Sequence, residues 1–142
     1  MFARSKRSFD LGRWWLNTHN DPRDVALGLA LRSDLKTFNV GAVIFDKYGI
    51  FSWGWNHWLA RGEQGLISVC AERHALGIGG ERLVNRRRLA GATIVVAGCK
   101  KHNGNIFLAR PCEICFPFIV KFRIRKIIYT QRGGSWGEDR LY

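Results

Sequence analysis

The apolar residues of this chain change their spacing several times, and each change marks an element. Asp21-Pro22 opens a helix, because Asp caps the free N–H groups and Pro is tolerated in the first turn. Leu27, Leu31 and Leu35 recur every four residues and predict the apolar stripe of that helix. Phe38 to Asp46 is rich in β-formers, Lys47-Tyr48-Gly49 supplies a turn, and Ile50 to Trp58 continues as the second strand of a hairpin. A loop with Gly62 and Gly65 follows, then a helix over 68–78 that Gly79-Gly80 would end.

Thr93 to Ala97 is a compact β-branched run and predicts a buried strand. Lys101 to Asn105 makes a polar turn before a short strand, Ile106 to Ala109. Residues 112–122 predict a helix in which Pro117 removes one hydrogen bond. Lys126 to Thr130 is another strand, and Gly133-Gly134 leads into polar residues. This order of helices and strands predicts a three-layer α/β domain. Residues 1–20 read as a basic arm carrying Arg4, Lys6, Arg7 and Arg13 among aromatics, 21–131 as the folded domain, and 132–142 as a C-terminal tail.

A length of 142 residues suits one domain, and 46% hydrophobic with 13% aromatic residues excludes a disordered chain. No apolar run approaches the roughly 20 residues of a membrane helix, and the basic N-terminus lacks the apolar stretch of a signal peptide, so a cytoplasmic protein is expected. The net charge is +12, from 23 basic and 11 acidic residues. An excess of that size is either an ordinary basic surface or the footprint of a nucleic-acid partner.

Four cysteines occur, at 70, 99, 112 and 115. A close pair with one distant partner is more typical of metal binding than of a disulfide framework. Cys70-Ala71-Glu72 and Pro111-Cys112-Glu113-Ile114-Cys115 each begin a predicted helix, where the macrodipole favours a thiolate. Cys70, Cys112 and Cys115 together suit zinc in a tetrahedron with water in the fourth position. Cys99 offers an alternative, a closed structural site of four thiolates. Glu72, two residues from Cys70, need not ligate the ion; it can stand beside the solvent ligand, take its proton and deliver it to a ring nitrogen and a departing amine.

The two segments in this order resemble the zinc-binding signature of the cytidine-deaminase superfamily, with cysteine as first ligand and a non-ligand glutamate. The resemblance covers roughly residues 22–130. It implies a three-layer α/β/α fold with a mixed sheet of about five strands and two zinc-binding helices, zinc as cofactor, and Glu72 as the catalytic proton carrier. Phe38-Asn39-Val40-Gly41-Ala42-Val43 and Trp53-Gly54-Trp55-Asn56 resemble the first two strands of free cytidine deaminases. Phe38 then lies near the pyrimidine, Asn56 at the sugar, Ala71 beside the substrate, and Trp55 and Trp58 flank Asn56. Cys70-Ala71-Glu72-Arg73 is similar to the three-cysteine members, in which the arginine hydrogen-bonds the ligand sulfurs. Three thiolates around one zinc dication carry a net negative charge, which a guanidinium offsets.

The second half departs from that group. Glu113 and Phe116 stand where free cytidine deaminases have glycine and arginine, and Ile124 to Thr130 resembles deoxycytidylate and tRNA deaminases, which have parallel last strands. Trp58 replaces a glutamate that accepts from the ribose 3′-OH, which removes a reason to demand a free sugar. Arg86, Arg87 and Arg88, with Lys121, Arg123 and Arg125, are candidate contacts to phosphates, and the tryptophans are candidate stacking platforms. The expected reaction is hydrolysis of cytosine to uracil on a nucleotide or single-stranded DNA or RNA. Free dCMP or cytidine is the alternative substrate. A non-catalytic, zinc-stabilised nucleic-acid-binding module is the alternative class, against which the intact Glu72 argues. Relatives are often oligomers, so a homo-oligomer is compatible with the chain.

Overall fold

Asp21 does cap the first helix: its carboxylate accepts from the Arg23 N–H at 2.9 Å, with Pro22 in the first turn. The computed structural model describes residues 20–61, 65–79 and 83–142, so the arm read at 1–20 lies, except for Asn20, outside the described residues. Helix α1 (Pro22–Ala30) buries Val25, Ala26, Leu29 and Ala30. The expected leucine stripe is not that face: Leu27 is half-buried and Leu31 is 57% exposed. The helix presses against Gly41 of the sheet through Ala26, Leu29 and Ala30, so the buried face is set by these positions and not by Leu27 and Leu31.

Strand β1 (Val40–Asp46) pairs antiparallel with β2 (Gly49–Trp55), the expected hairpin. The second strand is shorter than expected, because the chain breaks at Asn56. Asn56 clamps the start of β1: its amide donates to the Phe38 carbonyl at 2.7 Å and accepts the Val40 N–H at 2.9 Å. The segment expected as a loop is instead part of a second hairpin, β3 (His57–Arg61) with β4 (Gly65–Val69), in a sheet of its own.

Helix α2 (Ala71–Leu76) is shorter than the predicted span of 68–78. Gly77, at φ 76°, ends it before Gly79 is reached, and the Gly77 and Ile78 N–H groups return to the His74 and Arg73 carbonyls. Helix α3 (Arg86–Leu89) precedes β5 (Thr93–Cys99), which is antiparallel to β1 and to the short β6 (Ile106–Phe107). Helix α4 (Phe116–Lys121) starts after Cys115, later than predicted. Pro117 therefore lies in the first turn, where no helical hydrogen bond is lost. Strand β7 (Lys126–Thr130) runs parallel to β5, but the final strand of the sheet is antiparallel to it, so the parallel last strands that the resemblance to deoxycytidylate and tRNA deaminases implies are not observed. The polar residues expected as a tail contain β8 (Trp136–Arg140), antiparallel to β7.

Among the described residues the main sheet has six strands, in the order β2-β1-β5-β7-β8 with β6 on β5. Alternation divides its side chains between two layers. Val43, Val95 and Ala97 pack with α1, while Ala42, Ile44, Ile94, Val96 and Ile127 pack with Ala71, Ala75 and Leu76 of α2, Leu89 of α3 and Ile119 of α4. The expected three-layer α/β/α architecture is therefore observed.

Glycine sets the distance of α2 from the sheet. A Cβ on Gly54 would stand 2.6 Å from the Ala75 nitrogen and 2.8 Å from the Ala71 carbonyl oxygen, both backbone atoms of α2. Gly54→Ala is expected to destabilise the domain by about 1–3 kcal/mol and to displace the helix that follows Cys70. Denaturant unfolding measures the first effect and zinc affinity the second.

Candidate active site

The break between β4 and α2 places Cys70 at the N-cap of α2, with φ −72° and ψ 149° and no side-chain bond to the helix. Its sulfur is thus left for other partners. The second segment reaches the same spot by a turn: the Phe116 N–H donates to the Cys112 carbonyl at 2.9 Å, and Cys115 becomes the N-cap of α4. The sulfurs of Cys70, Cys112 and Cys115 lie within 4.8 Å of one another. Cys115 is buried, Cys70 half-buried and Cys112 exposed. Cys99, at the end of β5, does not belong to the group, so the closed four-thiolate alternative falls away.

The donor chemistry fits zinc. Hydrogen bonds from Cys115 and Cys112, with the charge of Arg73, bring the Cys70 thiol down to about 6 against the opposing effect of burial. The Cys115 thiol is held up by its hydrogen bond to Cys70, by burial and by neighbouring negative charge. Without a cation the cluster therefore holds back protons that a zinc ion displaces. Arg73 is placed to balance the remaining charge. Its Nε is buried with no hydrogen-bond partner among the described residues, and its guanidinium lies 5.9 Å from the Phe118 ring centre.

Glu72 follows on the first turn of α2 and is 6% exposed. Burial first, and the Cys70 charge second, push its carboxyl up to about 7, against the pull of its own backbone N–H. It lines a cavity of about 210 Å³ together with Cys70, Ala71, Cys112, Asn56 and Arg110. Metal ligands, a buried carboxylate and a small pocket thus meet at one end of the sheet.

Residues 17–131 match the cytidine and deoxycytidylate deaminase zinc-binding region. The chain belongs to this family of zinc deaminases. Among solved structures it is similar to cytidine deaminase from Burkholderia pseudomallei, with TM-score 0.59 and 20% identity, covering 87% of this chain and 92% of that one. It is also similar to dCMP deaminase from the cyanophage S-TIM5 in apo form, with TM-score 0.56, 15% identity and coverage of 94% and 86%. The same phage enzyme in complex with dCMP and dUMP gives TM-score 0.55, 19% identity and coverage of 80% and 85%. No curated protein matches significantly. The structural likenesses speak for the fold, the matched region for a zinc-dependent hydrolase.

The remaining predicted residues divide. Asn56 and Ala71 line the deaminase pocket, although both ends of the Asn56 amide already serve β1. Phe38, 53% exposed, sits one ring away, edge-on to Phe107 at 5.3 Å. Trp55 does not reach the pocket; it packs on the α1 side, among Arg32, His57 and His74. Trp58 is 41% exposed on β3, its N–H bonded to Asp34, and it does not line the pocket either.

The six basic candidates are not at the mouth. Val40 of β1 borders the pocket, whereas Arg88 binds Asp46 at the other end of that strand, with both its Nε and an Nη at 2.8 Å. Arg88 is thus a structural tie stacked 4.3 Å over Phe51 rather than a free phosphate contact. Arg123 and Arg125 bond through their backbones to Gly91 and Ala92, also at the far end. Sequence reasoning missed Arg110, which lines the pocket and pairs with Asp139 of β8 at 2.8 Å. Its place directly before Pro111-Cys112 was the available signal.

One zinc per chain is expected by metal analysis. Cys115→Ser should lose it and Cys99→Ser should keep it. Chelator competition should show zinc affinity falling as pH drops across the neutral range, because zinc must displace the Cys115 proton, and falling more steeply below about 6, where Cys70 also gains a proton.

Proposed function

We propose that this enzyme hydrolyses cytosine to uracil on a phosphate-bearing substrate, a nucleotide or single-stranded nucleic acid, with Glu72 as the proton carrier. The observation that carries this reading is the buried Glu72 on the wall of the pocket that also holds Cys70 and Cys112. A binding module gains nothing from a carboxylate kept at such a desolvation cost.

Zinc bound to the three sulfurs supplies a nucleophilic water at neutral pH. Glu72 takes one proton from that water as the oxygen adds to C4 of the ring, and passes it to N3. It then takes the second proton from the new hydroxyl and passes it to the exocyclic amine. The C4–N4 bond breaks, ammonia leaves, and water plus cytosine has become uracil plus ammonia. A carboxyl poised near neutrality both accepts and returns a proton readily. Burial is the first cause of that poise.

The preference for a phosphate rests on the charges around the pocket. Among the described residues that line the pocket, Glu72 is the one carboxylate and Arg110 the one cation. Among the described residues Arg110 meets Asp139 through Nε, which leaves the outer guanidinium nitrogens to meet a phosphate.

Glu72→Gln is expected to lower kcat by about 10²–10⁴-fold while zinc content and melting temperature stay unchanged; undiminished turnover would refute the assigned role. Arg110→Ala is expected to raise KM for dCMP about tenfold and to leave KM for cytidine alone. A screen of cytidine, dCMP and cytosine-containing single strands, read by mass, tests the substrate class; turnover of cytidine only would overturn it.

A further inference from the structure

Six exposed cations gather at the end of the sheet away from the pocket. Lys47 sits in the β1–β2 turn, Arg86 and Arg87 open α3, Lys121 ends α4, and Arg123 and Arg125 lie on the way into β7. Several contacts bring these segments together. Arg88 ties α3 to Asp46, the Gly91 N–H donates to the Arg123 carbonyl at 2.8 Å, and the Arg125 N–H donates to the Ala92 carbonyl at 2.8 Å. The same Arg88 neutralises Asp46, a carboxylate of this region, and none of the six cations has a side-chain ion-pair partner among the described residues. The fold thus concentrates positive charge and removes the negative charge beside it.

Aromatic rings are interleaved with these cations. Tyr48 and Tyr142 are 67% and 57% exposed. Lys47 lies 5.2 Å from the Tyr48 ring centre, Arg123 5.9 Å from that of Tyr142, and Arg86 4.6 Å from that of Phe122. Of the six cations, Lys47 and Arg125 line a groove of about 420 Å³, together with Tyr48, Gly91 and Thr93; the others lie outside its walls. It borders Phe45 and Asp46, whereas the catalytic pocket borders Val40. Six residues of extended strand separate the two sites by about 20 Å.

We propose that this groove binds a single-stranded nucleic acid at a site separate from the catalytic pocket. Cations follow the phosphates of a strand, and exposed rings stack on its unpaired bases. A walled groove suits a flexible strand that can thread it. A planar anionic lipid surface meets protruding groups instead. The proposal goes beyond the assigned reaction, because such binding serves equally to recruit a polymer substrate or to hold the enzyme on one while it acts on monomers.

The test uses a fluorescein-labelled oligothymidylate of 20 nucleotides, which offers the pocket no cytosine, and the full-length protein. In anisotropy titrations the parent is expected to bind it with a steep loss of affinity on adding salt. The variant Arg86→Gln, Arg87→Gln, Arg123→Asn, Arg125→Gln is expected to bind at least tenfold more weakly. Its slope of log affinity against log salt should be flatter by about 3, since four phosphate contacts at ~0.7 each are lost. Turnover of dCMP should be the same in parent and variant. If the variant's melting temperature falls, the pair Arg87→Glu with Arg125→Glu is read in the same way. Equal binding by parent and variant would overturn the proposal, as would binding of the parent to phosphatidylserine vesicles but not to the oligonucleotide. Absence of turnover of both dCMP and cytosine-containing single strands would count against the proposed function alone.

Discussion

Three thiols and a carboxylate crowded into one partly buried corner cannot all be ionised without a cation. The hydrogen bond between Cys70 and Cys115 resolves this: the Cys70 sulfur takes the negative charge more readily and Cys115 keeps its proton. A dication that takes all three sulfurs replaces the remaining protons and turns mutual repulsion into ligation. Much of the structure serves to hold the corner together. The β4–α2 break delivers Cys70, the turn before α4 delivers the other two, and Gly54 lets α2 lie close enough to the sheet to fix Glu72 beside them.

The same constraint explains what was legible in the sequence. Metal ligands act through fixed short spacings, so Cys70, Glu72, Cys112 and Cys115 announced themselves by residue type and order. The layered fold was legible because β1, β5 and β7 are runs of β-branched residues buried on both faces. Elements without a buried side misled. Strand β8 is polar because it lies at an edge with none of its five residues buried, and it read as a tail. Strands β3 and β4 pair only with each other, so their sequence carries little of the main sheet's apolar signal.

Charge was the least legible property. Arg86, Arg87 and Arg88 look equivalent in the sequence, yet Arg88 is locked to Asp46 and Phe51 while the other two face solvent. Only the antiparallel course of β1 against β2 and β5 reveals that this cluster and the zinc corner occupy opposite ends. Arg110 was hidden for the converse reason: an isolated arginine carries no pattern, and its significance comes from Asp139 on the unexpected β8. The sheet thereby separates two kinds of chemistry, bond breaking at one end and positive charge at the other.

The central claim is that three sulfurs hold one ion and leave a position for solvent. X-ray absorption at the zinc edge of the purified protein tests it most directly. The account predicts three sulfur scatterers at about 2.3 Å and one oxygen at about 2.0 Å. Four sulfurs around the zinc, or no zinc retained at all, would contradict it.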